Sequence, residues 1–565
     1  MIKHDPKDNT KKETLATKVL IVGAGPTGLA LAIELGSRAI PCVVIERNDR
    51  TGYAPRAKTT NVRTREHLRR WGIADRLAKA SPFGLDYPSH VLFVTRLGGH
   101  RLAKFDHVFN CNPEKNALYS EHAQWIPQYL LEDVLRAHAQ SLPGVEVRFS
   151  TEFEALTQDH DHVHAQIRNL VTGIYEEIRC EYLVGADGAR SAVREVIGAK
   201  MSGTYGLSRN FNIVFRAPGL AEAHAHGPAI MYWQVNADAP GVIGPMDVGD
   251  KWFFMPSNVP KDLKLTHREA EDLIRKATGI DLPYEVLSTD EWIASRLIAD
   301  KYRDRRIFLA GDACHLHPPM GGYGMNMGVA DGVDLGWKMA ATLQGWGGPA
   351  LLDSYEAERR PVHNFVMDEA VANHSLIGTQ VFQPGLEELS EEGGRLRDEA
   401  RQHIQLTKAR EFLNLRVVLG YHYGESSLVV ADGTAIAPQG GEQYVPSARP
   451  GCVAPHAWME DGSSLYDGFA QGFTLLVTDL KDDDVEFDTR QATHDATVAG
   501  IPLTVFAPEN ASLAELYNAR YVLIRPDQHV AWRGDSWPDN GQQLLGRVSG
   551  HVPMAGQGDS VMHGE

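Results

Sequence analysis

Cysteine is scarce. The 565 residues hold five, Cys42, Cys111, Cys180, Cys314 and Cys452, and no two form a C-x-x-C pair. An odd, scattered set excludes a disulfide scaffold and offers no metal-ligand spacing. Basic residues are outnumbered, 56 Lys and Arg against 73 Asp and Glu, a formal charge of −17. That balance argues against nucleic acid as the main partner. Apolar runs of the length that crosses a bilayer are missing. Residues 1–16 are polar and lack the apolar core of a signal peptide, so the expectation is a loose tail on a cytoplasmic protein. Internal repeats and low-complexity segments are absent as well.

What is present begins with a run of five apolar-patterned residues, Lys18 to Val22, the mark of a strand buried on both faces of a parallel sheet. It leads into Gly23-Ala24-Gly25-Pro26-Thr27-Gly28, a helical stretch, and a second buried strand ending in Glu46 and Arg47. This is a βαβ unit with a dinucleotide fingerprint. Gly23 permits the tight turn, Gly25 lets a pyrophosphate approach, and Gly28 lets helix and strand pack closely. The helix end offers free N–H groups to phosphate. Glu46 can accept from ribose hydroxyls, which disfavours a 2′-phosphate in this slot.

Two later motifs narrow the cofactor. A buried strand ends in Gly185-Ala186-Asp187-Gly188 and is followed by Arg190, Ser191 and Arg194; Asp187 there is either a ligand contact or a plain helix cap. The strand Arg306–Ala310 then delivers Gly311 and Asp312 to its C-terminal end, where open α/β sheets bind ligands. Pro318 and Pro319 stiffen the next loop, and Gly321, Gly322 and Gly324 let its backbone lie against a flat ligand. A helix starting near Met325 points its positive end at that ligand, suited to the charge of a reduced isoalloxazine.

These three motifs, in this order and spacing, resemble the single-component flavoprotein aromatic hydroxylases, the group of para-hydroxybenzoate hydroxylase and phenol hydroxylase. Pro55-Arg56-Ala57, Gln128 at a helix start and Tyr355-Glu356 through Arg359-Arg360-Pro361 belong to the same likeness, which covers about Val19 to Val362. It implies that Arg56 and Gln128 contact the FAD diphosphate and ribityl region and that Asp312 holds the ribityl chain. The backbone of Gly324, Met325 and Asn326 would face the flavin ring. Tyr323 stands where the family often has Gln. From Pro450 onward the chain resembles the thioredoxin-like domain of phenol hydroxylase relatives. Without a C-x-x-C, packing or dimerisation is its expected role.

The implied architecture is α/β, a Rossmann-like FAD domain of the GR2 type with an inserted, mostly antiparallel substrate sheet and a thioredoxin-like domain. The FAD domain is expected at 17–90, 120–205 and 300–430, the substrate domain at 91–119 and 206–299. A linker at 431–449 precedes the last domain at 450–565. The implied activity is hydroxylation of a small phenol with FAD, O2 and NADPH or NADH as transient co-substrate, through a flavin hydroperoxide. A homodimer is expected.

Substrate contacts are drawn more loosely. Pro318 lies where relatives present a carbonyl to substrate. Tyr232, sharing a strand face with Gln234, could bond a phenolic oxygen or simply pack. Arg209 could pair with an anion or be a solvated strand end. His315 and His317 lack a third ligand, so no metal is expected. A polyketide oxygenase or Baeyer–Villiger enzyme on the same scaffold stays open, as does a non-catalytic FAD-fold binding protein. A halogenase W-x-W-x-I-P segment is not found.

Overall fold

The first strand, Thr14–Val22, owes its central place to Val19, Leu20 and Ile21, all fully buried. It pairs in parallel with Cys42–Ile45 on one side and Tyr175–Gly185 on the other. The computed structural model describes residues 14–49, 57–257, 259, 265–375, 381–435, 439–480 and 484–551. The sheet order runs Arg303–Asp304, Ile307–Leu309, Tyr175–Gly185, Thr14–Val22, Cys42–Ile45, Val145–Arg148, with an antiparallel ribbon of Thr151–Gln158 and Val163–Asn169 attached. The dinucleotide helix, Pro26–Ser37, and the long helix Tyr323–Leu343, called here the flavin helix, pack together against it.

The second sheet also has eight strands and is antiparallel except where Met231–Gln234 pairs in parallel with Val91–Val94. Its longest strands, Met201–Arg216 and Glu285–Ala299, pair antiparallel along nearly their whole length. One face is covered by the helix His267–Thr278, whose Ala270, Ile274 and Ala277 are fully buried. The other face looks toward the flavin helix and carries Val91, Phe93, Met231, Trp233 and Phe253. A helical layer closes it: Phe412, at the end of Glu391–Phe412, packs edge-on against Phe93 and Phe109.

The last unit holds a four-stranded sheet in the order Leu503–Phe506, Phe473–Val477, Tyr521–Ile524, Val530–Gly534. A parallel pair joined through the helix Val485–Ala499, followed by two antiparallel strands, is thioredoxin topology. It docks through charge rather than apolar surface alone. Arg525, fully buried, bonds Glu358 at 2.7 and 2.8 Å, and Glu358 also accepts from Lys338 of the flavin helix at 2.6 Å. Among the described residues no helix is long and apolar enough to cross a membrane.

Candidate flavin and substrate site

The glycine loop is built by steric necessity. Gly23 has φ +110°, and a Cβ there would collide with the Ala186 carbonyl. Gly28 faces the Gly23 carbonyl with no room for a methyl group. Around Gly25 the opposite holds: an added Cβ would meet nothing within 4 Å. Gly25 caps the dinucleotide helix with no side chain bonding its N–H groups, and Pro26 stands in the first turn. The result is an open cradle with unsatisfied donors, which fits a diphosphate. Glu46 borders it, accepting from the Ala24 N–H at 3.1 Å and the Asn48 N–H at 3.0 Å. Arg47 is exposed beside it.

A second helix end arrives at the same place because of a glycine stripe. Gly328, Gly332 and Gly336 lie four residues apart on the flavin helix, and each presses on the dinucleotide helix: on Thr27, on the backbone of Thr27 and Leu31, and on Glu34. Thr27 also fills the space over Gly311, φ +63°. Thr27 is therefore the packing centre between the glycine loop, the Asp312 turn and the flavin helix. Asp312 itself is exposed on that turn. The flavin helix begins at Gly322, φ +66°, again with no side-chain cap, which leaves the first N–H groups of Tyr323, Gly324 and Met325 for a flat acceptor-bearing ligand.

Asn326 locks this loop. Its Oδ1 accepts from the Asn61 N–H at 2.9 Å and the Thr64 hydroxyl at 2.8 Å; its Nδ2 donates to the carbonyls of Thr59 and Gly322 at 2.9 and 2.8 Å. With all four valences used, its side chain is structural and its backbone alone faces the ligand side. Asn326→Ala strands buried groups costing roughly 1–3 kcal/mol each. The expected result is weaker FAD retention and a larger share of NAD(P)H oxidation ending as H2O2, read by a peroxide assay.

Beneath the loop lies a buried ionic cluster that motif reading did not assemble. Asp331 accepts from the Gly311 N–H at 3.0 Å, bonds His315 at 2.8 Å and His363 at 2.9 Å, and takes Arg359 Nε at 2.7 Å. Tyr302 bonds the far nitrogen of His363 at 2.8 Å. Burial pushes the Asp331 carboxyl up, but His363, Arg359 and His315 more than offset this and hold it well below the usual range. Cys314, His315 and Asp331 are close enough to share an ion. Both Asp331 oxygens are already engaged by protein donors, so the cluster reads as scaffold. His317 packs edge-on against His315, centroids 4.8 Å apart, with its ring nitrogens buried without protein hydrogen-bond partners, and it lies beside Gly324.

The remaining assignments fall unevenly. Asp187 caps the helix Ala192–Val196 through the Val193 N–H at 3.2 Å, while its backbone abuts Gly23. Gln128 heads the helix Gln128–Ser141 and donates to Glu132 at 2.7 Å. Arg56 lies outside the described residues. Pro318 is buried in the loop ahead of the flavin helix. Tyr323 turns away from the cradle, its ring over Gly321 and its hydroxyl buried near Glu411 and Arg416.

Two substrate assignments are corrected. Tyr232 points to the helix-covered face of the second sheet, packs with Trp252, and donates its hydroxyl to the Gly227 carbonyl at 2.6 Å. Arg209 lies on that same face, bonded to Glu291 at 2.5 and 2.9 Å and stacked on Phe211. Strand alternation says which residues share a face, not which face is inward; Met231 and Trp233 are the inward pair.

Two helix ends converging on one open cradle, under a sheet with an aromatic inner face, define an FAD-binding oxidoreductase. Comparison with known proteins carries this further. An FAD binding domain model matches residues 16–370, and an aromatic-ring hydroxylase C-terminal model matches residues 447–551. Tetracenomycin B2 monooxygenase-dioxygenase of Streptomyces olivaceus is 32% identical, over 94% of this chain and 98% of its own. 2,4-Dichlorophenol 6-monooxygenase of Delftia acidovorans is 31% identical, over 95% and 98%. The solved structure of the rebeccamycin biosynthetic enzyme RebC with reduced flavin superposes with a TM-score of 0.87 at 33% identity, covering 95% of this chain and 100% of that one. The chain belongs to the FAD-dependent aromatic-ring hydroxylase family and is a flavoprotein monooxygenase.

Proposed function

We propose that this monooxygenase hydroxylates a small phenolic ring, with NADPH or NADH as electron donor. The observation that carries the reading is the inner face of the second sheet. Phe93 stacks on Trp233 with centroids 5.5 Å apart, and Phe105 and Phe109 close on Phe412 at 4.9 and 5.5 Å. Such an aromatic wall suits a flat aromatic ring as ligand. When bound, FAD supplies electron transfer from the nicotinamide and activation of O2.

This chain's residues do the rest. The glycine loop and Glu46 hold the dinucleotide, the N–H groups at Gly324 and Met325 favour negative charge on the ring system, and Phe93, Trp233 and Phe253 exclude water. Pro318 is the proposed carbonyl contact to substrate. A second reading, a polycyclic polyketide as substrate, is favoured by the likeness to the tetracenomycin enzyme.

The test is NADPH and NADH oxidation by the FAD-loaded protein with simple phenols, halophenols and a tetracyclic polyketide, scoring product by mass. Stimulation with hydroxylated product from a one-ring phenol is expected. Stimulation by the tetracycle alone would replace this reading with the second.

A further inference from the structure

Lys58 is the one buried cation on the inner side of the substrate sheet for which the described structure gives no acidic partner. It is 9% exposed, and its Nζ lies 3.8 Å from the centroid of the Phe253 ring. Phe253 belongs to the inward face, with Trp233 and Met231. The next residue, Thr59, accepts from Asn326 Nδ2 at its carbonyl and packs on Gly322, so Lys58 stands one residue from the flavin loop. The other lysine of this face, Lys408, is paired with Glu411 at 3.3 Å. A cation–π contact compensates only part of a buried charge. A lysine so placed is neutral, or awaits an anion.

We propose that Lys58 is the base of the substrate site: its amine takes the proton of a phenolic hydroxyl, and the ammonium so formed holds the phenolate between the Phe253 wall and the flavin loop. The inference rests on the phenol reading above and deepens it. In the step, the O–H bond breaks, its proton forms the third N–H bond of Lys58, and the electron pair stays on oxygen. The ring gains the electron density that an electrophilic oxygen requires, and the ammonium returns the proton to the product oxygen. Burial pushes the Lys58 ammonium down to about 7, a value suited to taking and returning a proton near neutrality. Among the described residues nearby, Lys408 pairs with Glu411, Asn326 is uncharged and Lys251 on the Phe253 strand is exposed; on the helix Gln128–Ser141, whose first N–H bonds the Ala57 carbonyl, Glu132 accepts from Gln128 and Asp133 from Arg136. Arg56 lies outside the described residues.

The experiment titrates FAD-loaded wild type, Lys58→Met and Lys58→Arg with 4-nitrophenol and 4-nitrocatechol, whose phenolates absorb visible light, and reads flavin content in parallel. In the wild type the bound probe should ionise roughly one unit or more below the free probe, the scale of a nearby opposite charge. Lys58→Arg should keep that shift but turn over only where the substrate ionises by itself. Lys58→Met should lose the shift, keep its flavin, and lose on the order of 10²-fold or more in kcat, the scale of a general base. An unshifted or unbound probe in the wild type overturns the proposal, as does a shift that survives Lys58→Met. Loss of FAD from Lys58→Met overturns it too, by assigning the lysine to the cofactor. A Lys58-dependent shift without hydroxylation of any phenol supports the lysine's role and counts against the phenol reading alone.

Discussion

Asp331→Ala is expected to destabilise the FAD unit by about 3–5 kcal/mol, the usual result of removing one member of a buried ionic cluster. Asp331, Arg359, His315 and His363 are all fully buried, so Arg359 would be left as a charge with no water and no carboxylate at 2.7 Å. A typical domain has only ~5–15 kcal/mol to lose. The urea midpoint should fall steeply, and flavin should be lost with it, because the Gly311 N–H is anchored by the same carboxylate. Unchanged stability would show that the cluster is dispensable.

The cluster also predicts acid sensitivity. Burial holds His363 down to about 3, against its ordinary 6.5, and Asp331 lies below its ordinary range. Both folded values are depressed, so the unfolded chain binds more protons as pH falls. The stabilisation is full above the ordinary imidazole value and declines from there toward about 3. Melting temperature against pH should show that slope.

Gly28→Ala should produce a colourless protein. Its methyl would strike the Gly23 carbonyl, a backbone atom that cannot swing aside, and would wedge the dinucleotide helix off the first strand. Overpacking of this kind costs ~1–3 kcal/mol, which at about 1.4 kcal/mol per tenfold is roughly 5- to 140-fold if it all falls on FAD affinity. Gly25→Ala is the contrast: with open space around it, the new methyl would occupy the cradle itself. It should weaken FAD while leaving the melting temperature of the FAD-free protein unchanged. Equal loss of apoprotein stability in both variants would contradict this assignment of the two glycines.

The glycine loop was legible because its constraints are local: a strand buried on both faces, a turn and a helix start within about a dozen residues. The Asp331 cluster was not, since Tyr302, His315, Asp331, Arg359 and His363 meet only after the sheet and two helices assemble. Of these, the family likeness points only to Arg359, and without its partners. The stripe at Gly328, Gly332 and Gly336 carries a readable signal, three glycines at helical spacing, that points to close helix packing. Glu285–Ala299 escaped notice because it is a long strand with many polar, partly exposed positions, giving little hydrophobic alternation to read. Glu291 on that strand then claimed Arg209 across the sheet.

The most direct test of the account is turnover of a phenol under 18O2 by the FAD-loaded enzyme. One labelled oxygen in the hydroxylated product, with the other in water and one NAD(P)H consumed, is the predicted result. NAD(P)H consumption that ends only in labelled H2O2, or a product carrying oxygen from water, would contradict it.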